Sequence, residues 1–394
     1  TYRALHPLFN LFYPSRSKDI IASFLAHYKQ SVHGALPIWS HMANENWCMI
    51  GYHGVSVLAD AYVKGIKMDP KLALEAVISN STIPYLDGLQ SYMDLGYVPL
   101  NASRNSASVT LEYGYDDWTI YNMARLMGNT EIADKYLKRA AAYKYLVNES
   151  LGFICPKDTN GNVKADFDVL DTHGQGFIEG NSWNYSFYVP QDVNGIKAFM
   201  GGDKRFIERL DSLFTMDLPA KYYENTEDIT KEGLMGNYVH GNEPSQHIPY
   251  LYMWTSQPWK TQYRLREIMD RMYRNNIDGL CGNDDCGQMS AWYIFSAMGF
   301  YPVCPGSDQY VLGAPYFKEM VVHLENGKNL VIKAPKVSAR NRYVRWVKLN
   351  GKVYDKAYLT HQDICNGGEL YFEMSSVPNK KRVFTEEQKP YSMT

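Results

Sequence analysis

The 394-residue sequence has no C-x-x-C pair among its six cysteines, no hydrophobic run long enough to span a membrane, and almost no net charge, −2 at pH 7. Each absence removes a class of function. The Cys281–Cys286 spacing does not make a zinc knuckle, so Cys48, Cys155, Cys281, Cys286, Cys304 and Cys365 are expected to be buried thiols, with a disulfide left open. The lack of a long apolar segment excludes a membrane-spanning helix. Lys380, Lys381 and Arg382 form the one basic run, so nucleic acid is not an expected partner. There is no EF-hand loop and no visible signal peptide. The chain starts at Thr1 rather than Met, as expected of a processed or truncated product whose export signal lay upstream.

Aromatic residues, by contrast, are abundant, with 32 Tyr and 8 Trp. Such residues serve carbohydrate surfaces, but more often they fill cores. The length suits two domains or one large one.

Up to about residue 310 the apolar residues recur at helical spacing. Helices are expected over Ser17–Gln30, Cys48–Val63, Lys71–Ser79, Asp116–Met127, Thr130–Val147, Asp192–Met200, Asp203–Phe214, Pro244–Trp254, Trp259–Met272 and Met289–Met298. Glycine turns separate many of them, and Asp69–Pro70 reads as an N-cap and first turn. Ten or more antiparallel helices, each with one apolar stripe, point to a closed toroid or a solenoid. Long loops at Gly34–Asn46, Gly96–Tyr115, Asp171–Gln191 and Thr226–Glu243 are the places to look for function. Beyond residue 310 the period changes to two. Hairpins are expected around 325–328 and Asn350–Gly351, with a further strand at Leu370–Met374.

One stretch combines polar chemistry with a rigid support. In residues 278–317 a glycine-bracketed loop, Gly282 to Gln288, opens into an apolar helix that Gly299 stops. Asp284 and Asp285 therefore sit at a helix N-terminus, which suits a base or a metal ligand and equally suits a capping loop. Glu179 lies among Phe177, Ile178, Trp183, Tyr185 and Phe187. An apolar setting of that kind raises a carboxyl pKa, although a loop-capping glutamate looks the same in sequence. Asn242 and Glu243 offer hard oxygens just ahead of Pro244, as a calcium ligand or a helix cap would. His53, His240 and His247 are candidate site residues, with a satisfied core histidine as the plainer reading. Asp116 and Asp117 suit sugar hydroxyls or the first turn of a helix. Trp39, Trp47 and Trp183 suit stacking on a sugar face or packing in a core.

The segment GNDDCGQMSAWYIFSAMGFYPV, Gly282 to Val303, resembles the hallmark of glycoside hydrolase family 92, the α-mannosidases. RALHPL, CMIGYHGVSVLADAYVKG, TLEYGYDDW, EGNSWNYSFYVPQD and HGNEPSQHIPYLY agree with the same family in the expected order. The resemblance covers nearly the whole chain.

It implies an (α/α)6 toroid over 1–310, followed by a β-strand and hairpin segment over 311–394. That segment would complete a β-sandwich with an N-terminal domain that this sequence lacks and that contributes to the family's active site. It implies an inverting, calcium-dependent exo-α-mannosidase acting on N-glycans or mannan, in a bacterial periplasm, at the cell surface or secreted. Glu179 takes the position of the general acid and Asp285 that of the base. Asn283 stands where some members carry a second Asp, and orients water or substrate. Asn242 and Glu243 are the expected Ca2+ ligands, and the ion is expected to contact O2 and O3 of the sugar. Trp183, Asp284, Gln288, His240, Asp116 and Asp117 are the expected substrate contacts. Asn184, Tyr185 and Phe187 replace the commoner Gln, Trp and Trp, which would alter the sugar subsite. Two other readings stay open: a glycan-binding fragment without catalysis, and another (α/α)6 enzyme such as a polysaccharide lyase, which would need a Tyr/His/Arg base set.

Overall fold

The computed structural model describes residues 1–42, 44–226 and 229–394. Ala43, Glu227 and Asp228 fall in two of the loops expected to carry function and lie outside the described residues. Among the described residues fourteen α-helices precede or interleave with the strands: α1 (Leu5–Phe12), α2 (Pro14–Gln30), α3 (Gly54–Val63), α4 (Pro70–Asn80), α5 (Leu89–Leu95), α6 (Ser106–Leu126), α7 (Thr130–Ala140), α8 (Tyr143–Leu146), α9 (Ser182–Tyr185), α10 (Val193–Phe199), α11 (Asp203–Thr215), α12 (Trp259–Met272), α13 (Gln288–Met298) and α14 (His361–Cys365).

The local signals explain most of these ends. Asp69 caps α4 by accepting from the Lys71 and Leu72 amides at 3.0 and 3.1 Å, with Pro70 at the first helical position. Gly299, at φ +93°, ends α13 in the left-handed region where L side chains are strained. Four expected helices differ: α6 begins at Ser106 rather than Asp116, Thr130–Val147 divides into α7 and α8, and two more depart as follows. Residues 48–53 are irregular because Met49 (φ +68°) and Gly51 (φ +81°) are left-handed, so α3 starts only at Gly54. The segment expected as Pro244–Trp254 forms two 3₁₀ turns, Glu243–Ser245 and Ile248–Trp254. Pro244 and Pro249 there remove the donors that an α-helix needs.

The ring is a helical toroid. Its first and last helices meet, α1 packing against α13. Gln288, the first residue of α13, accepts from the amides of Ala4 and Leu5 at 3.0 and 3.4 Å. That bond fills orphan donors at the start of α1. Helix α6 is buried nearly all round, as an inner helix must be.

After the ring come β1 (Phe300–Tyr301), β2 (Gln309–Leu312), β3 (Glu319–His323), β4 (Asn329–Lys333), β5 (Tyr343–Leu349), β6 (Lys352–Tyr354), β7 (Tyr358–Thr360) and β8 (Gly368–Ser375). Two sheets result, in the orders β6-β5-β8-β4-β3 and β7-β2-β1. Both expected hairpins form, β3–β4 and β5–β6. β8 inserts between β5 and β4, antiparallel to β5 and parallel to β4. Leu370, Phe372 and Met374 of β8 belong to the same hydrophobic cluster as Trp254, Leu265 and Phe295 of the helical part. On the other side of β8, Glu369 pairs with Lys333 at 2.8 Å and Glu373 pairs with Lys336.

Candidate active site

Two glycine-containing loops are pressed together, backbone on backbone. A Cβ on Gly282 would lie 2.3 Å from the Gly241 carbonyl oxygen, and one on Gly241 would lie 3.0 Å from the Cys281 carbonyl oxygen. Only glycine permits this approach. It sets Asn242 and Glu243 against the loop that carries Asn283, Asp284 and Asp285.

The two adjacent aspartates then divide their work. Asp284 caps α13: its Oδ1 accepts from the Ser290 amide and hydroxyl, both at 3.0 Å. Asp285 is released from capping. It and Cys286 are left-handed, at φ +48° and +59°, ahead of Gly287 at +106°. Backbone strain in non-glycine residues marks positions that the surrounding structure holds deliberately. The Asp285 carboxyl meets that of Glu243. Their hydrogen bond, then burial, then the Glu243 charge push Asp285 up to about 7.

On the facing loop Glu179 is half-buried and also left-handed, at φ +51°. Its Oε2 accepts from Asn242 Nδ2 at 2.8 Å, while Asn242 Oδ1 accepts from the Glu243 amide at 2.9 Å. Glu179, Asn242, Glu243 and Asp285 are thus linked in one run, through the Glu243 backbone amide between its two side-chain pairs, with an acid at each end. The turn that presents Glu179 is closed by reciprocal bonds between Asn181 and Asn184, each 3.1 Å, at the start of α9.

Beside this run lies a buried charged network. Arg3 pairs with Glu112 at 3.0 Å, and His53 bridges Glu112 and Asp116 at 2.9 Å each. Tyr2 stacks on His53 with centroids 4.0 Å apart and donates to Glu112 at 3.1 Å. Burial alone would lower the His53 pKa, but Asp116 and Glu112 raise it to about 9. Burial alone would raise that of Glu112, but Arg3 and His53 hold it at about 2.

With this geometry in view, the comparisons with known proteins are informative. Residues 1–376 match the model of the glycosyl hydrolase family 92 catalytic domain. The chain belongs to glycosyl hydrolase family 92. It is 44% identical to a family GH92 α-mannosidase of Bacteroides thetaiotaomicron solved with mannoimidazole, with a TM-score of 0.94 over 100% of this chain and 52% of that one. A family GH92 inverting mannosidase of the same organism gives 41% and 0.90, over 100% and 55%. An uncharacterized secreted glycosidase of Arthroderma benhamiae is 26% identical over 94% of this chain and 49% of its own length. The chain therefore spans about half the length of these relatives.

Several of the residues expected at the sugar lie elsewhere. Asp116 and Asp117 are fully buried in the middle of α6, because that helix begins at Ser106, ten residues before the start expected at Asp116. Asp116 serves the Tyr52 amide and His53, at 2.9 Å each. Asp117 serves Tyr52, Tyr92 and Arg139 at 2.8, 2.9 and 2.7 Å. His240 is buried between the hydroxyls of Tyr238 and Tyr273, 2.8 Å from each, and burial lowers its pKa to about 3. It is a neutral core histidine. His247 is likewise buried, against the Phe187 carbonyl at 2.8 Å. Gln288 is buried and spends its side chain on α1 and on Gln246. Asn184, Tyr185 and Phe187 are buried in the wall behind Glu179, with Tyr185 against Phe177, so their departures act on the shape of the loop.

Trp183 is half-buried with its ring 4.9 Å from Phe153, and its indole N–H has no partner among the described residues. Asn283 is exposed on the loop before α13. All six cysteines are free, but only Cys155 is fully buried, and Cys48 and Cys286 are exposed. Sequence reasoning missed the Glu243–Asp285 pairing and the Arg3–Glu112–His53 network. The one signal for the second was a lone glutamate within an otherwise apolar and aromatic run, VTLEYGY.

Proposed function

We propose that this chain forms the catalytic domain of an inverting, calcium-dependent exo-α-mannosidase that removes non-reducing terminal mannose from N-glycans or mannan. The observation that carries this reading is the connected run Glu179–Asn242–Glu243–Asp285, with two acids in different surroundings, inside a family 92 catalytic domain whose solved relatives are named as mannosidases. Inversion needs one carboxyl to protonate the leaving oxygen and another to activate water. Asn242 donates to Oε2 of Glu179, and Glu179 delivers the proton to the leaving oxygen. Asp285 takes the proton from water, and the exposed amide of Asn283 orients that water.

Calcium fits part of the expected ligand set. Two carboxyls in hydrogen-bond contact hold a proton or a cation between them, and Glu243 with Asp285 offers the hard oxygens that calcium takes. Asn242 is less well placed, because its oxygen serves the Glu243 amide and its NH₂ faces Glu179. Among the described residues no group of three or more His, Cys, Asp or Glu side chains converges as a metal site. The remaining ligands would be carbonyls, water or sugar hydroxyls. Bound calcium supplies positive charge beside Glu243 and coordination for the hydroxyls of the sugar. A secreted setting is supported by the name of the Arthroderma relative. No helix of the described residues is long and apolar enough to cross a membrane.

The reading is tested by following an α-mannoside by proton NMR with calcium and with EGTA. β-Mannose is expected as the first anomer released, with release suppressed by EGTA. First release of α-mannose would overturn the inverting assignment.

A further inference from the structure

Trp39 and Trp47 have no part in the network of acids, and the structure puts both on the rim of the ring. They lie between α2 and α3, in residues 31–53, and Tyr85 lies between α4 and α6, in residues 81–105. Both segments open at the end of the ring that holds the acids. Tyr2, just ahead of α1, stacks on His53, just ahead of α3. In the first turn of α6 the Ala107 amide donates to the Gly176 carbonyl at 3.0 Å, and Ser108 Oγ accepts from the Ile178 amide at 3.1 Å, one residue from Glu179. Ser103, just ahead of the same helix, donates to Asp87 at 3.1 Å, which sets the Tyr85 turn beside it.

The rim is organised in advance of any ligand. One carboxylate gathers the loop before α3: Glu45 accepts from the amides of Ile38, Trp39, Asn46 and Trp47 at 2.6, 3.0, 3.0 and 3.1 Å. Trp39 and Trp47 share its Oε1, so their backbones lie side by side. The Trp39 indole N–H donates to His41 Nε2 at 3.1 Å, which holds the side chain while leaving it 45% exposed. Among the described residues no other ring or cation stands over that indole. Trp47 is half-buried, left-handed at φ +57°, and meets Tyr85 edge-on with centroids 5.8 Å apart. Tyr85 is 60% exposed, and its hydroxyl shares a hydrogen bond with His33 Nδ1 at 2.8 Å. Two aromatic side chains, each held at one edge by a polar partner, thus stay open to solvent on the rim.

We propose that Trp39 and Tyr85 form a distal glycan subsite, which holds sugars of the mannose chain beyond the scissile linkage. In an exo-acting enzyme only the terminal sugar enters the site between the acids, so the rest of the chain leaves across the rim. A pyranose ring offers a C–H face to Trp or Tyr and hydroxyls to the polar groups at their edges. The inference rests on the mannosidase reading above, which favours a saccharide over a protein as the occupant. It names the extended chain, rather than a short mannoside, as the preferred substrate.

Steady-state kinetics in calcium on an aryl α-mannoside and on a reduced α-mannotetraose test this, together with affinity electrophoresis in gels of yeast mannan or dextran. The ratio of kcat/KM on the tetrasaccharide to that on the aryl mannoside is expected to fall about tenfold in Trp39→Ala and in Tyr85→Ala, through KM rather than kcat. Trp39→Phe, which keeps a ring, should retain most of the ratio. Both alanine variants should lose most of their retardation by mannan, and dextran should retard none of the proteins. An unchanged ratio, an equal loss on both substrates, or undiminished retardation of both variants would overturn the proposal. So would a concentration-dependent dimer that Trp39→Ala dissolves, which would make the rim an interface between copies of this chain. Absence of hydrolysis on every mannoside, with retardation by mannan still dependent on Trp39 and Tyr85, would count against the catalytic reading and leave the subsite standing.

Discussion

Glu112 shows how a single side chain sets the terms for its neighbours. It sits in the buried helix α6 and is the shared anion of Arg3 and His53. Removing one partner of such a network leaves buried charge without compensation. Glu112→Gln is expected to cost about 3–5 kcal/mol in urea unfolding at neutral pH, and a loss near zero would mean that the network is not formed. The pH dependence follows from the direction of each shift. Glu112 is depressed from 4.5 to about 2 in the folded state. Its contribution is therefore complete above about 4.5 and lost as pH falls towards 2. His53 is raised from 6.5 to about 9, so its contribution is complete below 6.5 and lost as pH rises towards 9. Stability should be greatest between these windows, and Glu112→Gln should flatten the acid limb. At the candidate site, Glu243→Gln is expected to weaken calcium binding measured by isothermal titration calorimetry at least about tenfold, since a charged oxygen ligand is removed. Unchanged affinity would remove Glu243 from the ligand set.

At the scale of the element, the loop preceding α13 depends on Gly282 meeting Gly241 backbone to backbone. Gly282→Ala is expected to force the two loops apart and reduce mannoside turnover by at least about tenfold with little change in the unfolding midpoint. Full activity would show that the loops tolerate the displacement. This is also where the sequence stops being legible. The polar loop, the helix after it and its glycine stop are all visible as pattern, because caps and glycines act locally. Which of Asp284 and Asp285 would cap and which would meet Glu243 is not visible, because it depends on left-handed φ at Asp285 and Cys286. Asp116 and Asp117 fail for a related reason. They lie in the middle of a helix buried on every side, so periodicity does not place its start, and the partners that neutralise them come from α3, α5 and α7 or the loops beside them.

At the scale of the whole molecule, the helix pattern up to residue 310 and the strand pattern beyond it were both readable, and the change of period is real. Period alone does not show that β8 threads between β5 and β4, nor that the sheet shares one core with the helices. That shared core predicts a single cooperative transition, with tryptophan fluorescence and far-UV circular dichroism coinciding in urea. Two separated transitions would mean that the strand segment is an independent unit.

Glu179 and Asp285 have separate duties, as acid and base, and leaving-group dependence reads those duties directly. Turnover should be measured for wild type, Asp285→Asn and Glu179→Gln, in calcium, on aryl α-mannosides of graded phenol acidity. Asp285→Asn is expected to lose about 10²–10⁴-fold in kcat on every substrate with KM nearly unchanged, because a base acts only in the transition state. Glu179→Gln is expected to lose as much on poor leaving groups and far less on acidic phenols, which need little protonation. Equal losses for both variants on every leaving group would contradict the assignment of acid and base.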